Sequence, residues 1–383
     1  MKATLSLTHR CNLACTYCYA GRAFKQDMPF PIAQEIIDFV MGAAPRGQEV
    51  QFAFFGGEPL LCFDLIQQIV AYIRERERRQ ERPVRLSVTT NGTLLTRPIL
   101  DYLQKEGIAL CVSLDGLAPV HDLHRSYPSG RGSFEDVLKN LRTAIRALDG
   151  VQVNAVYGPE TVDSLPETAA FLAQLGAAGI HLNPDITASW PEAAYAKLGE
   201  IYMRIAEAYV QSYREGREIA VSLIDSKVLL FLKGGYGVED LCGMGETEWG
   251  FAPSGNIYPC ERFIGEDDDS RFCLGNIRTG LDTARRCVLV EQRGNENREC
   301  VACAHNPYCM NWCGCTNYYR TGRTNLAGPM LCASERAAIG AAEHVFVTLT
   351  EQDNDLFVDH IRQYMNRGRH HPSIQERKGE TRL

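Results

Sequence analysis

The sequence predicts an α/β protein in which an open, partial barrel of six βα units is followed by a smaller cysteine-rich domain. Three observations carry that expectation. Short β-rich runs alternate with amphipathic stretches from residue 2 to about 185, the pattern of parallel strands joined by covering helices. The second half breaks instead into short segments rich in Gly, Asn and Cys. The 383 residues also exceed what one hydrophobic core usually serves, so a second unit is expected.

Six strands are expected at Ala3–Leu7, Val50–Phe55, Arg85–Thr89, Ala109–Leu114, Val151–Tyr157 and Ile180–Asn183. Between them, apolar residues recur at spacings of three and four over 32–43, 63–79, 97–106, 134–147 and 163–175, which predicts a helix in each connection. Six parallel strands cannot close an eight-stranded barrel, so the expected form is a partial (β/α)6 TIM barrel with ligands at the strands' C-terminal ends. Residues 193–233 read as a helical bridge with Tyr195, Leu198, Ile201, Tyr202, Ile205 and Tyr209 marking one face. From Leu241 to Cys332 the chain is too loop-like to form a core without metal. Residues 333–366 return to helix, and the polar tail from Arg367 is expected to fray. The division is then barrel 1–190, bridge 191–240, cysteine-rich domain 241–335 and C-terminal helix with tail 336–383.

Composition narrows the function. With 45% hydrophobic and 23% charged residues and a net charge of -7, the chain lacks the single-sign field suited to nucleic acid. No h-region of a signal peptide and no window near 18 consecutive apolar residues is present, so a cytoplasmic protein without a membrane partner is expected. In a reducing compartment its 15 cysteines are read as metal ligands or reactive groups rather than disulfides.

Cys11, Cys15 and Cys18 form Cys-x3-Cys-x2-Cys just after the first strand. Three thiolates on one tight loop can hold three irons of a 4Fe-4S cube and leave the fourth iron open. A structural zinc ion would need a nearby fourth ligand, and the nearest further cysteine, Cys62, belongs to the second βα connection. Past the end of the second strand stand Gly56, Gly57, Glu58 and Pro59; past the third, Asn91; and Ser113 and Asp115 end the fourth. Each motif is also good turn chemistry, and it is their shared position after a strand that gives them weight.

In this order of motifs the chain resembles the radical S-adenosylmethionine (SAM) superfamily. The resemblance implies that the triplet binds the SAM-cleaving cluster and that Tyr17 packs near the adenine. It also implies that Gly56 to Pro59 contact the methionine amino group, with Asn91, Ser113 and Asp115 lining the SAM pocket. His121, Asp122 and Arg125 lie on a polar stretch after the fourth strand that could meet the SAM ribose or carboxylate.

The second half carries Cys242, then Gly255 and Cys260 with four residues between them, then Cys300-x2-Cys303-x5-Cys309-x3-Cys313, and finally Cys332. This array resembles the SPASM domain, whose seven cysteines bind two auxiliary 4Fe-4S clusters, making three clusters in all. Carried over, Cys300, Cys303, Cys309 and Cys332 hold the distal cluster, while Cys242, Cys260 and Cys313 hold the proximal one. Some relatives complete the proximal cluster with a cysteine ahead of the first, but Val238, Glu239 and Asp240 stand there. Either an iron is left open to substrate, the reading preferred here, or Cys273, Cys287 or Cys315 fills it. A pair of zinc ribbons is the competing reading of the array, and a non-catalytic zinc-stabilised interaction module the competing function.

Glu261 follows Cys260 where sulfatase-maturing relatives carry an acidic residue thought to take the substrate proton; a solvated turn carboxylate is the plain alternative. Cys62 and Cys111 read as small buried hydrophobes. The run Arg74 to Arg79 alternates in sign as a solvated helix face, and Glu266 to Asp269 as an exposed hairpin tip. The family's SPASM members mostly modify peptides or proteins. The resemblance therefore implies a maturase of a ribosomally made peptide, forming a thioether or carbon-carbon crosslink, with an anaerobic sulfatase maturase making formylglycine as the alternative. It also implies an electron donor such as flavodoxin or ferredoxin. Because the first strand begins at Ala3, leader binding is expected to fall to a separate protein or the C-terminal tail.

Overall fold

The computed structural model describes residues 1–21, 23–268, 271–292 and 297–368. Asp269 of the acidic run and the tail from residue 369 onward lie outside the described residues. Strands β1 (Lys2–Ser6), β2 (Val50–Phe55), β3 (Val84–Thr90), β4 (Ile108–Ser113), β5 (Gln152–Tyr157) and β6 (Gly179–Pro184) each pair in parallel with the next. Helices α1 (Phe30–Ala43), α2 (Phe63–Gln80), α3 (Arg97–Glu106), α4 (Ala118–His124), α5 (Phe134–Ala147) and α6 (Leu165–Gln174) occupy the connections. The short α4 was not expected from periodicity; it carries Pro119 in its first turn, where the fixed φ of proline suits a helix start.

The strands alternate in character, and that alternation builds the cavity. One face carries Ala3, Leu5, Phe52, Phe54, Leu86, Val88, Leu110 and Val112, all buried in the main core. The other presents Thr4, Ser6, Gln51, Ser87, Thr89, Ser113, Asn154 and Asn183. Parallel sheets covered on both sides are apolar on both faces, so a polar second face marks a lumen for ligand. Cys111 lies on that second face and is half-buried, which corrects the expectation that it is a small core residue. Cys62 is buried as expected.

The sheet has eight strands rather than six. β7 (Glu248–Phe251) lies parallel to β1, pairing Lys2 with Glu248 and Leu5 with Phe251, and β8 (Ile257–Tyr258) runs antiparallel to β7. Trp249 and Phe251 meet Phe39 of α1 edge-on, so the cysteine-rich segment covers the exposed edge of β1.

The bridge folds as α7 (Glu192–Tyr195), α8 (Leu198–Arg214) and α9 (Ser222–Lys233). After it come a small hairpin of β9 (Gly275–Asn276) and β10 (Gly280–Leu281), then α10 (Thr283–Glu291), α11 (Arg298–Val301) and α12 (Gly314–Thr321). The expected C-terminal helix is two helices, α13 (Pro329–Glu351), which packs on α8 and α9, and α14 (Asp355–Gly368). The cysteine-rich segment also has an aromatic core of its own: Phe263 stacks on Phe272 at 3.9 Å, and Tyr318 meets both edge-on. No helix among the described residues is long and apolar enough to cross a membrane.

Candidate active site

The chain leaves β1 into a loop closed at its base by a clasp. Thr8 Oγ1 donates to Asp27 at 2.6 Å, and Arg10 grips the same carboxylate through Nε and Nη2, each at 2.7 Å. Within this loop lie Cys11, Cys15 and Cys18. It is stitched down by Ala14 N to Ser126 O at 2.8 Å, Thr16 N to His124 O at 3.1 Å and Asn12 Nδ2 to Thr93 Oγ1 at 2.8 Å. Cys11 Sγ accepts from Leu13 N at 3.4 Å and from Asn91 Nδ2 at 3.8 Å. Burial pushes the Cys11 thiol up to about 11, and it raises Cys15 as well, so loading metal here must displace protons.

The Gly56-Gly57-Glu58-Pro59 turn holds β2 against this loop. A Cβ on Gly56, at φ +130°, would meet Thr8 O at 2.5 Å, and one on Gly57 would meet Arg10 O at 2.2 Å. The close approach that requires glycine is therefore to the chain's own loop. Glu58 is fully buried and accepts from Leu60 N at 3.0 Å, Thr90 Oγ1 at 2.7 Å and Asn91 N at 2.7 Å. Its carboxylate ties the end of β2 to the end of β3.

Tyr17, Asp115 and Arg125 are joined in a relay. Arg125 Nη1 donates to Tyr17 OH at 2.7 Å, and Tyr17 OH donates to Asp115, whose other oxygen accepts from Val156 N at 3.0 Å. His121 props this up from behind. Its Nδ1 accepts from Asp115 N at 3.2 Å, and its Nε2 faces Ser133 Oγ at 2.9 Å, which itself donates to Arg125 O at 2.6 Å. Ser133 has then only an acceptor left for Nε2–H, so the ring is neutral; burial, with Arg125 nearby, pushes it down to about 3. Asp122 accepts from Phe134 N at 2.9 Å and caps α5. Of His121, Asp122 and Arg125, then, Arg125 is the one whose side chain reaches the triplet loop, beside His124, whose Nδ1 is 2.7 Å from Thr16 Oγ1. Its Nε is buried and makes no hydrogen bond, a donor available to an anionic group beside the cysteines.

These features fit an iron-sulfur cube with SAM. The thiols are presented by one loop, the side chains around them are tied to one another, and a cationic donor stands unpartnered next to them.

Tyr19 extends the site toward the second cysteine set. It stacks parallel to Phe55 at 6.1 Å and lies within electrostatic reach of Cys18 on one side and Cys260, Glu261 and Arg262 on the other. Cys260 Sγ is 3.5 Å from Glu261 Oε2, and Cys313 Sγ is 3.3 Å from Thr316 Oγ1. Burial works against the Glu261 charge, yet Lys2 and Arg262 hold its carboxyl below the usual range. Lys2 also lies within electrostatic reach of Cys242 and Cys260. In the distal set, Cys300 and Cys303 share one turn, with Cys303 N donating to Cys300 O at 3.2 Å. Cys309 lies within electrostatic reach of Cys332.

Sequence reasoning missed the residues that arrange the distal set. Lys227 Nζ bonds Glu335 at 2.7 Å and Tyr308 O at 2.8 Å, and Glu335 also accepts from Met310 N, so the pair clamps the backbone on both sides of Cys309. The available signals were a lysine inside an apolar helix and a glutamate one turn beyond Cys332.

Residues 5–172 match the family described as Radical SAM superfamily. The chain is similar to an uncharacterized protein of Methanocaldococcus jannaschii, at 35% identity over 36% of this chain and 46% of that protein. It is also similar to a cysteine-type anaerobic sulfatase-maturating enzyme of Clostridium novyi, at 22% identity over 79% of this chain and 84% of that enzyme. It thus spans about half the length of the first and most of the second. Among solved structures, native anSMEcpe with bound AdoMet and the Cp18Cys peptide shares its fold, with a TM-score of 0.78 at 16% identity over 92% of this chain and 99% of the other. So does Streptococcus suis SuiB bound to precursor peptide SuiA, with a TM-score of 0.59 at 16% identity over 86% and 75%. Residues 5–172 are accordingly a radical SAM domain, and the chain that carries them is an enzyme homologous to the anaerobic sulfatase-maturating enzymes.

Proposed function

We propose that this enzyme modifies a peptide post-translationally, forming a thioether or carbon-carbon crosslink in a ribosomally made substrate with the help of three 4Fe-4S clusters. The carrying observation is that the triplet loop runs directly against the cysteine-rich segment: a Cβ on Gly21, three residues past Cys18, would meet Glu266 N at 3.2 Å and Gly265 C at 3.3 Å. Cys11, Cys15 and Cys18 would hold the cluster, which with SAM would supply the radical chemistry that removes a hydrogen atom from the substrate.

The chain's own residues do the positioning. Arg125 offers its free Nε–H to the SAM carboxylate, and the Arg125–Tyr17–Asp115 relay fixes that guanidinium. The polar lumen face orients substrate while the apolar face and helices exclude water. Glu261, held ionised by Lys2 and Arg262, accepts the substrate proton. The later cysteines act as a SPASM domain, with Cys242, Cys260 and Cys313 on the proximal cluster and Cys300, Cys303, Cys309 and Cys332 on the distal one. Flavodoxin or ferredoxin supplies electrons, and a separate protein or the C-terminal tail presents the leader. The peptides bound to both structural neighbours support a peptide substrate.

Formylglycine formation on a sulfatase is the second reading, favoured by the extent of similarity to the Clostridium novyi enzyme. One assay separates the two. Anaerobic enzyme, SAM and dithionite are mixed with a cysteine-containing precursor peptide or a sulfatase peptide and analysed by mass spectrometry. A peptide that loses two hydrogens supports the crosslink, with a thiol that resists alkylation marking the thioether and one that is still alkylated marking the carbon-carbon bond. An aldehyde that reacts with a hydrazine supports formylglycine, and SAM cleavage without change in either peptide contradicts both.

A further inference from the structure

We infer that Cys315 is the fourth ligand of the proximal auxiliary cluster, so that this cluster is closed and does not bind substrate. The inference rests on the reading that the cysteine-rich segment holds iron-sulfur clusters, and it goes beyond that reading by fixing what the proximal one can do.

Three thiols meet in one buried place. Cys315 is only 4% exposed, at the start of α12, and its Sγ lies 3.6 Å from Cys313 Sγ. Cys260, 8% exposed, shares a side-chain hydrogen bond with Cys315. The fourth thiol is carried on a segment packed against the same turn. A Cβ on Gly314, between Cys313 and Cys315, would meet Met244 Cε at 2.6 Å, and Met244 is two residues from Cys242. Cys242 and Gly314 line one small cavity. Three separate stretches of chain thus supply Cys242, Cys260, Cys313 and Cys315, the complement a fully ligated cube requires.

Charge points the same way. Arg262 is wedged among these groups, with Nη1 3.9 Å from Cys315 Sγ and 3.4 Å from Thr316 Oγ1, and its carbonyl is fixed by Tyr319 OH at 2.7 Å. A buried guanidinium needs negative charge beside it; Glu261 supplies one carboxylate, shared with Lys2, and neutral thiols add none. A cube held by four thiolates does. The other candidates are placed differently. Cys273 Sγ lies against Gly275 O at 3.3 Å in its own hairpin, and Cys287 is exposed on α10. A small buried hydrophobe would account for the burial of Cys315 but not for its contact with two thiols and a guanidinium.

A closed cube has no iron to offer a substrate thiolate, so a thioether formed by this enzyme would arise without sulfur bound to the proximal cluster. The test uses the full chain with Cys11, Cys15 and Cys18 changed to Ala, so that the auxiliary clusters alone are observed. This parent should contain about 8 Fe per chain with matching sulfide, and its electron paramagnetic resonance spectrum after reduction should not move on addition of cyanide. Adding Cys315→Ala should either halve the iron or retain it with a spectrum that now responds to cyanide. Cys315→Ser, which keeps an oxygen ligand, should hold the iron with an altered signal, and its circular dichroism checks that it is folded. Cys273→Ala and Cys287→Ala should match the parent. A cyanide-responsive parent overturns the inference whatever the variants do, as does a Cys315→Ala protein with unchanged iron and spectrum. Stoichiometric zinc without sulfide in the parent overturns the auxiliary-cluster reading itself, a distinct failure.

Discussion

The two sets of cysteines are held in opposite ways. Cys11, Cys15 and Cys18 ride on a loop fastened by groups that are not ligands: the Asp27 clasp, Asn12 on Thr93, and backbone bonds to His124 and Ser126. Cys260, Cys313 and Cys315 instead lie against one another, and the distal set depends on one buried ion pair and a few turns. The difference teaches where metal does structural work. A loop anchored to a packed sheet keeps its shape around a cofactor that must exchange SAM, whereas a segment built of turns relies on its ligands for shape.

The largest effect that could break this contrast is on catalysis. Changing Cys11, Cys15 and Cys18 to Ala should abolish 5′-deoxyadenosine formation, followed by liquid chromatography, while the auxiliary absorbance near the visible region persists. Loss of all clusters together would mean that the two regions are not independent. Iron removal should act in reverse order. Hydrogen exchange of the apoprotein should accelerate across 300–332 while β1 to β6 stay protected, and uniform acceleration would contradict the anchoring described here.

Next in size is the clamp around Cys309. The side chains of Lys227 and Glu335 are 4% and 9% exposed, so Glu335→Gln leaves a buried ammonium without its counter-charge. That change should cost about 3–5 kcal/mol, read as a lower melting temperature and loss of distal iron. The double change Lys227→Met with Glu335→Leu should recover most of the stability. A smaller effect is expected at the SAM pocket. Arg125→Lys loses the planar fork that reaches Tyr17, and SAM affinity by calorimetry should fall about tenfold with the clusters intact. The smallest is Asn91→Ala, which removes a donor from Cys11 Sγ and should lower the potential of that cluster in a spectroelectrochemical titration.

Local pattern was enough to read the barrel. β2 runs over Val50–Phe55 and α3 over Arg97–Glu106 as periodicity predicts, because each is fixed by its own alternation or by a proline start and a left-handed Gly107 stop. β7 was not legible, since four residues carry little signal and become a strand only by pairing with Lys2–Leu5, far away in sequence. The same holds for the site. The cysteines, Tyr17, Asp115 and Arg125 stood out through residue type and position after a strand. Lys227, Glu335 and Arg262 did not, because their meaning comes from partners supplied by tertiary folding. Gly56 and Gly57 stood out as contacts for the methionine amino group, and the structure sets them directly against the backbone of Thr8 and Arg10.

The central claim is that Cys11, Cys15 and Cys18 leave one iron free to take SAM. Electron paramagnetic resonance of the anaerobically reduced full chain, with and without SAM, tests it most directly. The account predicts a changed cluster signal on adding SAM, absent from the Cys11, Cys15 and Cys18 triple variant; an identical spectrum with and without SAM in the unaltered chain would contradict it.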